Sequence, residues 1–198
     1  MRRVRVDVPT GSAGSDRKGM LFTPTLRLPR GFSLIEVVVV IAVAAILAGI
    51  ALPSFAALMR ETKLTASTND LLGTLYFARS EAVKRNRRVT ICTSSTHSDC
   101  ARDIGWDRGW LVFEDADGDG QRDVAEQILG SGARRDSDLT MWGDDSVRDY
   151  ISYVPTGETR KSTGALQMGA VTACDEGIAK RVVIAATGRP RIVSRATC

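Results

Sequence analysis

From Val37 to Leu52 every side chain is apolar: Val, Ile, Ala, Leu and one Gly, with no polar or charged position. With Phe32 to Ile35 in front, the segment reaches the ~20 residues a helix needs to cross a bilayer core. One carboxylate, Glu36, sits near its start. An ionisable side chain at that depth costs a few kcal/mol and calls for a partner. A cleaved secretory signal would have a shorter apolar core without an acid, ending in a small-x-small site. Here the run is long, the acid lies inside it and Pro53 follows. Beyond Pro53, which should bend the helix rather than end it, Leu64, Thr68, Leu71, Leu75, Ala78 and Ala82 recur at steps of three and four. Leu72, Tyr76 and Val83 widen that stripe. The spacing predicts one amphipathic helix that lies on a sheet and ends near Asn86.

The period then changes. Short β-like runs follow at Arg88–Cys92, Trp110–Glu114, Gln127–Leu129, Tyr150–Val154, Ala165–Met168, Arg181–Ala185 and Arg191–Val193, punctuated by Gly, Asp, Ser and Pro. A single long helix followed by strands implies an α+β fold, the helix packed on one face of antiparallel sheet. There are no internal repeats.

The stretch Arg30-Gly31-Phe32-Ser33-Leu34-Ile35-Glu36 ahead of the apolar run resembles the class III leader of type IV pilins and type II secretion pseudopilins. The resemblance implies that a prepilin peptidase cuts between Gly31 and Phe32 and methylates the new amino terminus at Phe32. The apolar helix then stays in the mature protein. It also implies that Glu36 pairs with the terminal ammonium of a neighbouring subunit, each charge offsetting the other's desolvation. Ser33 fits the position after the Phe. Further on, Ile-Cys-Thr-Ser-Ser after the helix, Gly109-Trp110-Leu111-Val112-Phe113, Tyr153-Val154-Pro155-Thr156-Gly157 and the closing Val-Val-Ile-Ala-Ala-Thr-Gly-Arg-Pro-Arg are together similar to the FimT/GspH group of minor pilins. The expected division is a cleaved leader (1–31), a transmembrane and assembly half-helix (32–59) and a periplasmic head (60–198). The fold implied is the type IV pilin one. The implied partners are other pilins or pseudopilins, the peptidase and the inner membrane.

Charge sharpens this picture. The formal net charge is +4, but residues 1–31 hold seven basic and two acidic residues, and removing them leaves 20 basic against 21 acidic. Within the remainder, residues 60–88 carry +4, residues 99–149 carry −8 and residues 158–198 carry +4. The basic leader holds the N-terminus in the cytoplasm, so the rest of the chain lies across the membrane. Met20 offers a second start, with a leader of Met20 to Gly31. Four cysteines lie in the translocated part, an even number that suits disulfides. Sequence allows three pairings. Cys92 with Cys100 closes a short polar loop, and Cys174 with Cys198 then ties down the last residue. That pairing is favoured.

Enzyme chemistry finds no constellation. His97 is the only histidine and lies in a Ser/Thr loop without a nucleophile to activate. No phosphate-cradling glycine loop is present. Asp115, Asp117, Asp119, Asp123 and Glu126, with Gly120, match the spacing of a calcium-binding loop. However, a strand rather than a helix leads into it, so an acidic solvated hairpin is preferred and calcium is the lesser reading.

The C-terminal stretch is the most informative. Gly177 to Cys198 contains Lys180, Arg181, Arg189, Arg191 and Arg195 and no acid. Thr187-Gly188 offers a turn, and Pro190 suits the start of an edge strand. If residues 189–195 are extended, Arg189, Arg191 and Arg195 share a face, with Arg189 and Arg191 ~7 Å apart. That row could follow a nucleic-acid backbone without sequence preference. A solvated face, or pairing with the acidic middle, is the competing reading. Gly188-Arg189-Pro190-Arg191 resembles the Gly-Arg-x-Arg element of DNA-binding FimT proteins, which implies DNA uptake for natural transformation. The alternative is a structural pseudopilin of a type II secretion system without DNA binding.

Overall fold

Helix α1 (Leu34–Arg85) starts where Ser33 caps it: the Glu36 N–H donates to the Ser33 Oγ at 3.2 Å and to its carbonyl at 3.1 Å. Ser33 and Glu36 have the spacing of a capping box, which also puts a carboxylate at the positive end of the helix dipole. The computed structural model describes residues 31–132, 139–195 and 198; the leader before Gly31, the alternative start Met20, and Arg134 and Arg135 lie outside them. For Arg195 the backbone alone is described. Helical geometry continues through Pro53. At the other end Asn86 adopts a left-handed φ of 53°, and the Arg87 N–H reaches back to the Ala82 carbonyl at 3.3 Å. This is the closure that turns a helix off its axis and satisfies its last carbonyls.

The chain divides into two units at Ala45/Ile46. The described part of the first is the start of α1, with its apolar side chains exposed. The second carries the rest of α1 and eight strands in two antiparallel sheets. One sheet has the order β3-β2-β1-β5, formed by β1 (Val89–Thr93), β2 (Trp110–Glu114), β3 (Ile128–Gly132) and β5 (Tyr150–Tyr153). The other has the order β4-β6-β7-β8, formed by β4 (Thr140–Gly143), β6 (Gly169–Asp175), β7 (Ile178–Ile184) and β8 (Pro190–Arg195).

Leu64, Leu71, Leu75, Ala78 and Ala82 are fully buried, in one cluster with Val89, Ile91 and Ile151 of the first sheet and Met141, Val171 and Val182 of the second. The stripe on α1 is therefore the seam to which both sheets contribute. It is narrower than the pattern predicts: Tyr76 and Val83 are half-exposed, and Leu72 alone of the three widening residues packs against the core.

Two strand expectations need correction. Ala165–Met168 is not a strand; apart from an isolated Leu166–Arg160 bridge, the ladder begins at Gly169. The cause is Gln167, which is fully buried. Its Oε1 accepts the Ser152 N–H at 2.9 Å, and its Nε2 donates to the Ser146 and Tyr150 carbonyls at 2.9 Å each. A side chain thus does the pairing that a strand would otherwise do. The four-residue strand β4 was not expected either. Its alternation, Met141 buried and Trp142 exposed, is too short to stand out as a period.

Candidate nucleic-acid interface

Strands β7 and β8 are joined through residues 185–189, and their register decides which basic residues meet. Val182 pairs with Ile192 and Ile184 with Pro190, facing inward; Arg181 pairs with Val193 and Val183 with Arg191, facing outward, and Ala179 pairs with Arg195 in the same alternation. The outward face therefore carries Arg181, Arg191 and the position of Arg195. Exposed Arg189 stands just before β8 in the turn. Lys180 does not join them. It lies on the opposite face, 3.8 Å from the Glu61 carboxylate and donating to the Thr65 hydroxyl, both on α1.

The turn itself is held against the helix. Gly188 has a φ of 73°, and a Cβ there would come 2.0 Å from the Gly157 carbonyl oxygen. The Arg79 Nε donates to that same carbonyl at 2.9 Å, while another nitrogen of its guanidinium reaches the Thr187 carbonyl at 3.5 Å. The Tyr76 hydroxyl donates to the Pro190 carbonyl at 3.0 Å. Gly188-Arg189-Pro190-Arg191 is thus fastened from α1, and its two arginines are left to solvent. Tyr76 and Arg79 were not recognised from sequence as holding the turn. The available signal was a polar-tipped pair at the margin of the apolar stripe.

Most other described arginines are already engaged. Arg60 pairs with Glu176, Arg85 with Glu81, Arg87 with Glu114, Arg122 with Asp99, Arg148 with Asp145 and Arg160 with Glu158. Arg85 holds the Glu81 carboxyl below its ordinary range. Among the described residues, Arg181, Arg189 and Arg191 have no carboxylate within 4.0 Å. Arg181 and Arg191 line an open groove of about 470 Å³ with Met168, Ala170, Val183 and Asp144. The Asp144 carboxylate is spent on backbone: it accepts the Ala170 N–H at 2.8 Å and the Ser146 N–H at 3.1 Å. Among the described residues Asp144 makes no ion pair with either arginine.

In the acidic loop between β2 and β3 part of the sequence-predicted calcium set gathers. Asp115, Asp117 and Glu126 lie close together, whereas Asp119 and Asp123 stay out of the cluster. Glu126 accepts the Ala116 N–H at 2.7 Å and the Asp123 N–H at 2.9 Å. Buried Asp115 accepts the Thr90 hydroxyl at 2.6 Å and the Gly118 N–H at 2.7 Å, and Asp119 accepts the Gln121 N–H at 2.6 Å. These carboxylates replace the ladder bonds of a long hairpin, and burial pushes the Asp115 carboxyl up from its ordinary value. His97 places its Nε2 3.1 Å from the Gly132 carbonyl, a loop tie. Disulfides join Cys92 to Cys100 and Cys174 to Cys198, with Cα separations of 5.6 and 5.9 Å. The second anchors the end of the chain beside β6.

The model of the type II transport protein GspH family matches residues 67–188, more than half of the chain and nearly all of the head. The chain belongs to the GspH family. The prokaryotic N-terminal methylation motif matches residues 26–52 of this GspH-family chain, across the Gly31-Phe32 junction. Two crystal structures of the type IV minor pilin FimU from Pseudomonas aeruginosa (strain PAO1) are similar to it, each at 20% identity and a TM-score of 0.51. They cover 70% and 68% of this chain, and 92% and 99% of their own. That likeness establishes the type IV pilin fold. No curated protein matches. The protein is a minor pilin or pseudopilin, a structural subunit that assembles with other pilins. Its leader and apolar helix mark it for membrane anchoring, with the head outside the cytoplasm.

Proposed function

We propose that this GspH-family subunit is cut between Gly31 and Phe32, methylated at Phe32, and held in the inner membrane by residues 32–59. In this reading its periplasmic head, residues 60–198, binds DNA through the phosphate backbone during uptake for natural transformation. The observation that carries it is the outward face of β7 and β8. There Arg181, Arg189 and Arg191 have no carboxylate within 4.0 Å among the described residues while most other described arginines have partners, which speaks against their pairing with the acidic middle. Contacts of this kind give affinity without base preference.

The second reading is a pseudopilin of a secretion system whose head binds only other subunits. It is favoured by the type II transport description of the matching family. One experiment separates the two: DNA binding by the full mature chain in detergent, at low salt, for wild type, Arg189→Gln/Arg191→Gln and the control Arg102→Gln/Lys161→Gln. Neither control cation makes an ion pair among the described residues, and neither lies on this face. The hairpin variant should lose most binding at an unchanged melting temperature, and the control should lose little. Equal losses would mean diffuse attraction only. No binding by the wild type leaves the secretion reading standing.

A further inference from the structure

The same sheet face carries a large aromatic side chain that the phosphate contacts do not use. Trp142 on β4 is directly opposite Thr172 on β6, Thr172 is opposite Arg181 on β7, and Arg181 is opposite Val193 on β8. Residues opposite one another in antiparallel strands share a face, so Trp142, Arg181 and Val193 form one row across the sheet. Arg191 lies in a parallel row with Val183 and Ala170. Trp142 is 47% exposed between Met141 at 1% and a buried Gly143, so its indole belongs to the outer surface. Half-exposed Met168 extends the apolar part of the face, and both Met168 and Arg181 line the groove that holds Arg191. Trp142 and Arg181 stand two strands apart, roughly 10 Å at the ~4.8 Å spacing of neighbouring strands. On β6 between them stand the small side chains of Thr172 and, two residues along, Ala170, beside which the Asp144 carboxylate also lines the groove.

Guanidinium groups beside a flat exposed ring are the two halves of a single-strand platform: cations follow the phosphates, and a base lays its face on the ring. A duplex keeps its base faces inside the stack, so it can use the arginines but not the indole. Resting on the DNA-binding reading above, we infer that this face takes single-stranded DNA and that Trp142 is its stacking residue. The face therefore engages a strand that has been separated from its complement.

The test uses the full mature chain in detergent, with a thymidine oligomer of roughly twelve nucleotides, within the usual site sizes, and a duplex of the same length. Trp106 and Trp110 are buried, so iodide-accessible tryptophan fluorescence comes from Trp142. The oligomer should shield that signal, and the duplex should not. Trp142→Ala should weaken oligomer binding by about tenfold or more and change duplex binding by less than about twofold, with Trp142→Phe retaining most of the affinity. Arg189→Gln/Arg191→Gln should weaken both ligands. If the wild type binds both ligands and Trp142→Ala weakens them equally or not at all, the stacking role is overturned while the DNA-binding reading survives. Absence of binding to either ligand overturns both. Iodide shielding by assembled neighbouring subunits but not by the oligomer would make Trp142 a pilin contact and contradict the proposal.

Discussion

Asp115 and Glu81 show how two carboxylates of one head answer to pH in opposite senses. Arg85 lowers the pKa of Glu81, so its contribution is present above the ordinary carboxylate value and is lost as pH falls through the lowered one. Burial raises the pKa of Asp115 against the opposing bonds from Thr90 and Gly118. The folded state holds that proton more tightly than the unfolded chain does. Its penalty is absent below the ordinary Asp value and is complete above the raised one. Urea melts of wild type and Asp115→Asn should therefore differ with pH: the wild type loses stability relative to the variant as pH rises from the ordinary Asp range toward neutrality. A pH-independent difference would contradict the buried-carboxyl account. At this scale the sequence was legible for residue type and blind to partnership. The Asp115–Glu126 spacing reads as five candidate ligands, but Asp115, Asp119 and Glu126 also accept backbone N–H bonds within the loop, one of them from Ala116 across ten residues.

The elements were legible where a period runs long. Leu64 to Ala82 repeats over five turns, and all six of its stripe positions are buried. Four-residue β4 is too short to show a period, and the false strand at 165–168 was an apolar pattern around Gln167, whose amide does the bonding. The split into two sheets was not foreseen, because alternation fixes faces and leaves strand order open. The hairpin of β7 and β8 was seen, yet its hold on α1 through Tyr76 and Arg79 was not. Gly188 tests that hold. Gly188→Ala must strain a left-handed φ and push a methyl into the Gly157 carbonyl, so it should destabilise the head by more than the ~1 kcal/mol of a simple Gly-to-Ala mismatch. Thermal melts report the loss. A variant as stable as wild type would show that the turn does not need this approach. The Cys174–Cys198 bridge, spanning a separation of 24 residues, secures the other end of the same sheet and contributes about 3 kcal/mol in the chain-entropy picture.

For the whole molecule, the apolar run and its leader are the part most plainly written in the sequence. The functional face is less so, because its arginines and Trp142 come from strands brought side by side only by folding. The structure adds a distinction at Glu36. Helix capping there uses the Glu36 backbone N–H and the Ser33 side chain, so Glu36→Gln keeps the helix start and removes only the charge. That variant should be processed at Phe32 but assemble poorly, read by peptide mass mapping and by the pilus fraction; normal assembly would contradict a charge-pairing role. The central claim is that the free arginines of the β7–β8 hairpin bind nucleic-acid phosphates, and the salt dependence of binding tests it most directly. For the full mature chain, log affinity against log salt should fall linearly, and Arg189→Gln/Arg191→Gln should reduce that slope by nearly two units on duplex, at about 0.9 per contact, and by somewhat less on single strands. A slope that is unchanged in the variant would contradict the claim.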